Sequence, residues 1–394
     1  MRRSNKEVLI RFAYCQEIGG FLSRRLQMRQ RGLRTGQAVR FLACFVRECG
    51  FRLRKDALLY ALIGFYSLGG LIFLGLTGTT EMISYQFYFD QWPAVFAVFL
   101  PLMAVIIDLS MLTLRFDRRR PLAYRRVFSA RRVASLVSGV LLMMGLMVFQ
   151  GTFTSIKNAL PTLQGGFHYD KIQADIDAWI YFGLDPWRLL HAVAGYDVVL
   201  AIVEFNYSAA WFIICFGALF FALTSPAADD IRQRYMLLFL FVWVICGNVL
   251  AGMFLSAGPV FYGAVTGDHT RFAALTAFLA QSQWVNSAAH YQSYLWSLYE
   301  QGTSGFAGGI SAFPSVHVGL TTLNAYFLAE RSRGLGIVGF IYVGFIQLSS
   351  VYLGWHYAID GYVSFMIVTL AYFSASALWR VPFVFTRRSD AAAA

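Results

Sequence analysis

The chain has 394 residues, of which 58% are hydrophobic, 17% aromatic and only 14% charged. An ordinary soluble domain carries about 25% charged and 45–50% apolar residues. With a mean hydropathy of +0.55 the chain cannot keep its surface in water, which excludes a cytosolic globule, a disordered scaffold and a secreted disulfide framework. An integral membrane protein of all-α class is what is left.

The formal net charge of +12 is concentrated at the start. Residues 1–55 hold 14 Arg and Lys, among them Arg2, Arg3, Lys6, Arg24 and Arg25, against Glu7, Glu17 and Glu48. A basic segment abutting the first hydrophobic run reads as a cytoplasmic anchor drawn to anionic lipid. No recognition motif accompanies the charge, so no nucleic-acid partner is expected. Cys15, Cys44, Cys49, Cys215 and Cys246 form neither a zinc pattern nor a disulfide framework. The first long apolar run begins near residue 57, too late for a cleavable signal.

A span needs about 20 mostly apolar residues. Eight candidates follow in chain order: 57–76, 93–114, 133–149, 208–224, 236–255, 316–328, 335–353 and 361–378, with 316–328 the shortest. They divide the chain into a basic segment (1–56), two additional spans with a basic loop (57–132), a six-helix core (133–380) and a cytoplasmic tail (381–394). With the N-terminus inside, 29 of the 33 basic residues fall in cytoplasmic segments. Only Lys157, Lys171, Arg188 and Arg271 lie outside, which sets the orientation by the positive-inside rule. The outside segment from Asp170 to His191 has apolar residues at helical spacing (Ile172, Ile176, Ile180, Leu184), which predicts a helix lying along the membrane face. Its acids Asp170, Asp175 and Asp177 read as a solvated polar face. Asp108, inside the second span, is expected to pair with a neighbouring helix or to sit near the inner interface beside Arg115. His168, His191, His269 and His290 read as loop histidines.

The chemistry concentrates in two stretches. Pro314-Ser315-Val316-His317 opens one span from the outside, and Ser349-Ser350-Val351-Tyr352-Leu353-Gly354-Trp355-His356-Tyr357-Ala358-Ile359-Asp360 joins the next two on that same side. His356 and Asp360 are one helical turn apart. The carboxylate can therefore take the Nδ1 proton and leave Nε2 free to attack, while His317 protonates a departing alkoxide. Ser315 starts a helix, where unpaired N–H groups favour a bound phosphate.

This arrangement resembles the type 2 phosphatidic acid phosphatase (PAP2) superfamily, whose second motif is P-S-G-H and whose third is S-R-x5-H-x3-D. The resemblance implies a phosphohistidine formed on His356, oriented by Asp360 and served by His317, with no metal or other cofactor, acting on a membrane lipid phosphate. Two departures stand out. The third-motif Arg is Ser350, beside Ser349, and the first motif, K-x6-R-P, has no clean copy. Arg118-Arg119-Arg120-Pro121 lies on the cytoplasmic side, whereas Lys157-Asn158-Ala159-Leu160-Pro161 follows the third span outside and looks like a degenerate first motif. A phosphate clamp must therefore come from the four outside cations, with Lys157 first and Arg188 second.

The P-S-x-H and H-Y-x-x-D forms also resemble the inositol phosphorylceramide synthase-like branch, which passes a phospho-headgroup to another lipid. Three functions are thus weighed: a lipid phosphatase, a headgroup phosphotransferase, and a lipid-binding or transport protein with a vestigial site. The absence of outside cysteines and of a eukaryotic sorting signal points to a bacterial inner membrane. A cysteine introduced beside His317, in a chain lacking its native cysteines, should react with an impermeant thiol reagent from outside intact cells. Labelling only after permeabilisation would invert the topology.

Overall fold

In the computed structural model, residues 37–114, 120–282, 284–285 and 287–379 are described, and every regular element among them is helical. Backbone groups in a hydrocarbon layer have no water to bond, so a chain this apolar satisfies them within helices. A helix over 37–55 (α1) leads into α2 (Ala57–Leu76), α3 (Thr80–Thr113), a short α4 (Arg120–Val127) and α5 (Ala130–Gln164). Two short helices, α6 (Asp170–Ile180) and α7 (Pro186–Ala194), precede α8 (Asp197–Thr224) and α9 (Arg232–Met253). The segment after α9 carries α10 (Ala273–Leu279) and α11 (Ala288–Gln301), and the chain closes with α12 (Val316–Arg331), α13 (Arg333–Tyr352) and α14 (Ala358–Leu378).

Seven of these helices (α2, α3, α5, α8, α9, α13 and α14) are long and apolar enough to cross a membrane. The predicted span 316–328 is the exception. It forms α12, whose 16 residues reach about 24 Å against a hydrocarbon core of about 30 Å. Eleven of those residues are buried, because α12 packs against α8, α9, α13 and α14. Thr321, Thr322 and Asn324 face protein rather than lipid, so α12 can be both short and partly polar.

Two other boundaries differ from expectation. The third span was read as ending at residue 149, but α5 continues to Gln164 and ends on Gly165 in the left-handed conformation (φ 71°). Lys157 to Pro161 are therefore the last turns of α5 rather than a loop. The single helix expected from Asp170 to His191 is two, broken by left-handed Phe182 (φ 57°) and Gly183 (φ 92°), with Pro186 starting α7 at the position where a missing N–H costs nothing.

The bundle is tied at the end bearing the start of α5 by ion pairs, some of them buried. Arg232 meets Asp56 at 2.6 Å with both side chains almost fully enclosed, which fastens the start of α2 to α9. Arg52 and Arg131 share Asp229 at 2.7 and 3.1 Å, and Arg234 holds Glu330 at 2.6 Å. Asp108 pairs with Arg132 across the α3–α5 contact at 2.9 Å, which answers the expectation of a partner on a neighbouring helix. Residues 1–36, Arg118, Arg119 and the tail 381–394 lie outside the described residues, as do the side chains of Arg120 and Pro121. The α12–α13 pair is drawn close by small residues. A Cβ on Gly336 would stand 2.6 Å from the Ala329 Cβ, and one on Gly339 would stand 2.9 Å from the Ala325 Cα.

Removing one partner of a buried pair leaves an uncompensated charge and costs about 3–5 kcal/mol. Arg232→Met should therefore lower the thermal unfolding midpoint in detergent markedly. Arg232→Met with Asp56→Leu should recover most of the loss.

Candidate active site

At the opposite end of α5, the starts of α12 and α14 are stitched together. Ser315 caps α12 by accepting the Val318 N–H at 3.4 Å. Its own N–H donates to the Asp360 carbonyl (3.1 Å), and the Ser364 hydroxyl donates to its carbonyl (2.7 Å). The segment leading into α12 is fixed by the Ala312 N–H on the Ser256 carbonyl (2.8 Å). After α13 the chain turns at Gly354 (φ 67°), packed on Val260 and Leu275. The Ser350 carbonyl there receives the N–H groups of Trp355 (3.0 Å) and His356 (3.3 Å).

This places His356 over Asp360, which is fully buried. Oδ2 of Asp360 accepts from the Tyr357 N–H at 2.9 Å and from Nδ1 of His356 at 3.3 Å. In the tautomer with its proton on Nδ1, Nε2 carries the lone pair. Burial pulls His356 down to about 3, opposed by the Ala312 carbonyl and aided by Lys157, so the imidazole is neutral at physiological pH. The His317 ring centre is 6.5 Å from that of His356. His317 is sandwiched between Tyr207, stacked at 4.4 Å, and Trp211 at 3.9 Å. The Trp211 indole donates to the His317 carbonyl (3.2 Å) and the Thr321 hydroxyl (3.0 Å).

Lys157, on the last turns of α5, is near enough for its charge to bear on both imidazoles. It packs against Gly309, where a Cβ would meet its Cγ at 2.9 Å. No carboxylate partners its ammonium among the described residues. The other three cations expected outside are elsewhere. Arg271 is locked to Asp175 (2.6 Å) and Asp185 (2.9 Å), and Lys171 is exposed. Arg188 lies over the Trp187 ring and donates to the Arg271 carbonyl (3.1 Å). Ser349 and Ser350 are buried behind His356, their hydroxyl hydrogens engaged by the carbonyls of Phe345 (2.7 Å) and Gln347 (2.8 Å). No cluster of His, Cys, Asp and Glu suited to a metal occurs among the described residues.

Three features were not read from the sequence. Asp170 and Asp177, expected in solvent, are each only 1% exposed. Asp170 accepts the N–H groups of Ala257 and Gly258 and the Tyr357 hydroxyl, each at 2.8 Å. Asp177 accepts the N–H groups of Ala358 (2.5 Å) and Ile359 (2.9 Å), which are orphan donors at the start of α14. Burial pushes Asp177 up to about 7 against the pull of those two amides. Only Asp175 of the three is exposed. The second feature is the Tyr207–Trp211 clamp, which an i, i+4 aromatic pair in a span does not distinguish from lipid-facing rings. The third is that His191 and His290 sit on helices rather than loops, His191 bonding the Tyr352 carbonyl at 3.0 Å.

A family model described as the PAP2 superfamily matches residues 173–374, just over half of the chain, and the chain belongs to that superfamily. No curated protein and no solved structure matches it. The superfamily's members are phosphatases and phosphotransferases, so with its membrane-length helices the chain is, in general terms, a membrane enzyme of that kind. The matched segment contains both histidines and Asp360, and leaves out Lys157.

Asp177→Ala should free two amides at the start of α14. The loss should be about 1–2 kcal/mol of stability, as for other removed helix caps, and activity should fall with it. Asp177→Asn keeps one acceptor and should lose less in thermal unfolding.

Proposed function

We propose that the protein hydrolyses a lipid phosphate or diphosphate through a phosphohistidine on His356. In this reading it works in a bacterial inner membrane, on the face away from the basic N-terminal segment. The observation that carries the reading is the Asp360–His356 pair facing His317 beside a lysine without a counter-ion. Arg132 and Lys157 are 25 residues apart on one helix, about 38 Å, more than a hydrocarbon core. That separation supports opposite sides for the basic-rich end and the site.

The chemistry follows from the positions. Lys157 draws in the phosphoryl oxygens, and the start of α12 adds its N–H groups and dipole. Nε2 of His356 forms the bond to phosphorus as the bond from phosphorus to the lipid oxygen breaks, and His317 donates its proton to that leaving oxygen. Asp360 stabilises the positive charge that develops on His356. In the second half, water attacks phosphorus, His317 takes the water's proton, and the phosphohistidine bond breaks to release phosphate.

A second reading keeps the first half and replaces water with the hydroxyl of an acceptor lipid. It is favoured by Ser350, which stands where a phosphatase has its clamp Arg and whose hydroxyl is turned to the Gln347 carbonyl. Purified protein given lipid phosphates with and without acceptor lipids separates the two: free phosphate marks hydrolysis, and acceptor-dependent headgroup transfer marks the transferase. His356→Ala should abolish the phosphoenzyme. His317→Asn should cost about 10²–10⁴-fold in rate with a lipid leaving group and far less with an aryl phosphate. Lys157→Met should act mainly on KM. Because His356 is neutral above about pH 3, the kcat/KM profile should show no acid limb from the nucleophile near the ordinary imidazole value of about 6.5. Lipid binding or transport untouched by His356→Ala, with no turnover in the parent, would mean a vestigial site.

A further inference from the structure

The α6–α7 elbow is inside out for a water-facing element. A helix at a protein–water boundary buries its apolar side and exposes its polar side. In α6 the buried side is Asp170, Gln173, Ala174 and Asp177, while Ile172 and Trp179 (82% exposed) point outward. At about 100° per residue, the outward stripe has Lys171 and Asp175 on one flank and Ile176 and Ile180 on the other. The polar flank meets Arg271 through Asp175, and the apolar flank has no such partner. At the turn, Phe182 holds a left-handed backbone, which costs a side-chain-bearing residue about 1–2 kcal/mol. Phe182 is 98% exposed, so no side-chain packing among the described residues offsets that cost.

Apolar exposure continues on two membrane-length helices next to the elbow. The Tyr181 hydroxyl bonds that of Tyr362 on α14, whose outer side continues with Phe365, Met366 and Leu370. Beyond α7, Tyr196, Val198, Ile202 and Phe205 carry the exposed apolar surface onto α8. We infer that the outer side of the elbow is sunk in the lipid leaflet on the histidine side of the membrane, with Lys171 and Asp175 at headgroup level and Trp179, Ile180 and Phe182 among acyl chains. The inner side of the same helix holds the start of α14 through Asp177, so lipid contact and site geometry meet on one short element.

The test reads depth directly and does not rest on the proposed reaction. Phe182→Cys and Lys171→Cys, each in a chain without its native cysteines, are labelled with an environment-sensitive fluorophore. They are then reconstituted in phosphatidylcholine vesicles with brominated acyl chains. The label at 182 should be quenched by the bromines and shielded from aqueous iodide, and the label at 171 should be open to iodide. Quenching at 182 by iodide alone would overturn the inference. So would shielding from both quenchers together with cross-linking of two chains through 182, which would make the surface an interface between copies. Should the cysteine-free chain not fold, the fluorescence lost to bromines in the parent but not in Trp179→Phe gives the same reading, and equal quenching in both would count against it.

Discussion

Two carboxylates on one short helix hold the reactive end together. Asp170 and Asp177, seven residues and about two turns apart, face the same side of α6 and accept five hydrogen bonds between them. Four of the donors are backbone amides, from the segment that supports Ala312 and from the start of α14. Unpaired amides buried at such depth would be costly, and a carboxylate is the strongest acceptor a side chain can offer. The segments bearing His317 and His356 are thus set against each other by a third element.

The electrostatics of the site follow from that arrangement. Asp360 engages His356 and its own helix start through Oδ2 and forms no ion pair with Lys157. Arg271, the other enclosed cation on this side, is neutralised by Asp175 and Asp185. Among the described residues, what remains is a positive centre without a counter-ion beside two imidazoles, in a place where charge is poorly screened. Such a centre suits an anion that gains charge density as a bond to phosphorus breaks. The rings of Tyr207 and Trp211 pack against the His317 ring and fix its position.

The sequence made the spans and both histidines legible because hydropathy and motif spacing are local signals. Lys157 was singled out by counting the few cations expected outside. The true reach of α5 was hidden, since Lys157, Asn158 and Pro161 end its apolar window while the helix goes on into the protein. Asp170 and Asp177 were misread because a carboxylate at helical spacing looks the same whether it faces water or backbone amides; only the tertiary partner separates the two. The break at Phe182 was missed because a phenylalanine in a left-handed turn leaves no compositional mark, although Gly183 and Pro186 nearby were both consistent with one.

The length of α5 ties the two faces of the membrane together. Its 35 residues make a rod of about 52 Å, anchored at one end by the ion pairs of Arg131 and Arg132 and ending at the other beside both imidazoles. Lys157 has no independent means of finding the site; its height and bearing are fixed by how many residues separate it from that anchor. One residue inserted or deleted between them turns the lysine by about 100° and moves it by about 1.5 Å, carrying it away from the two imidazoles. The helix is a ruler as much as a wall.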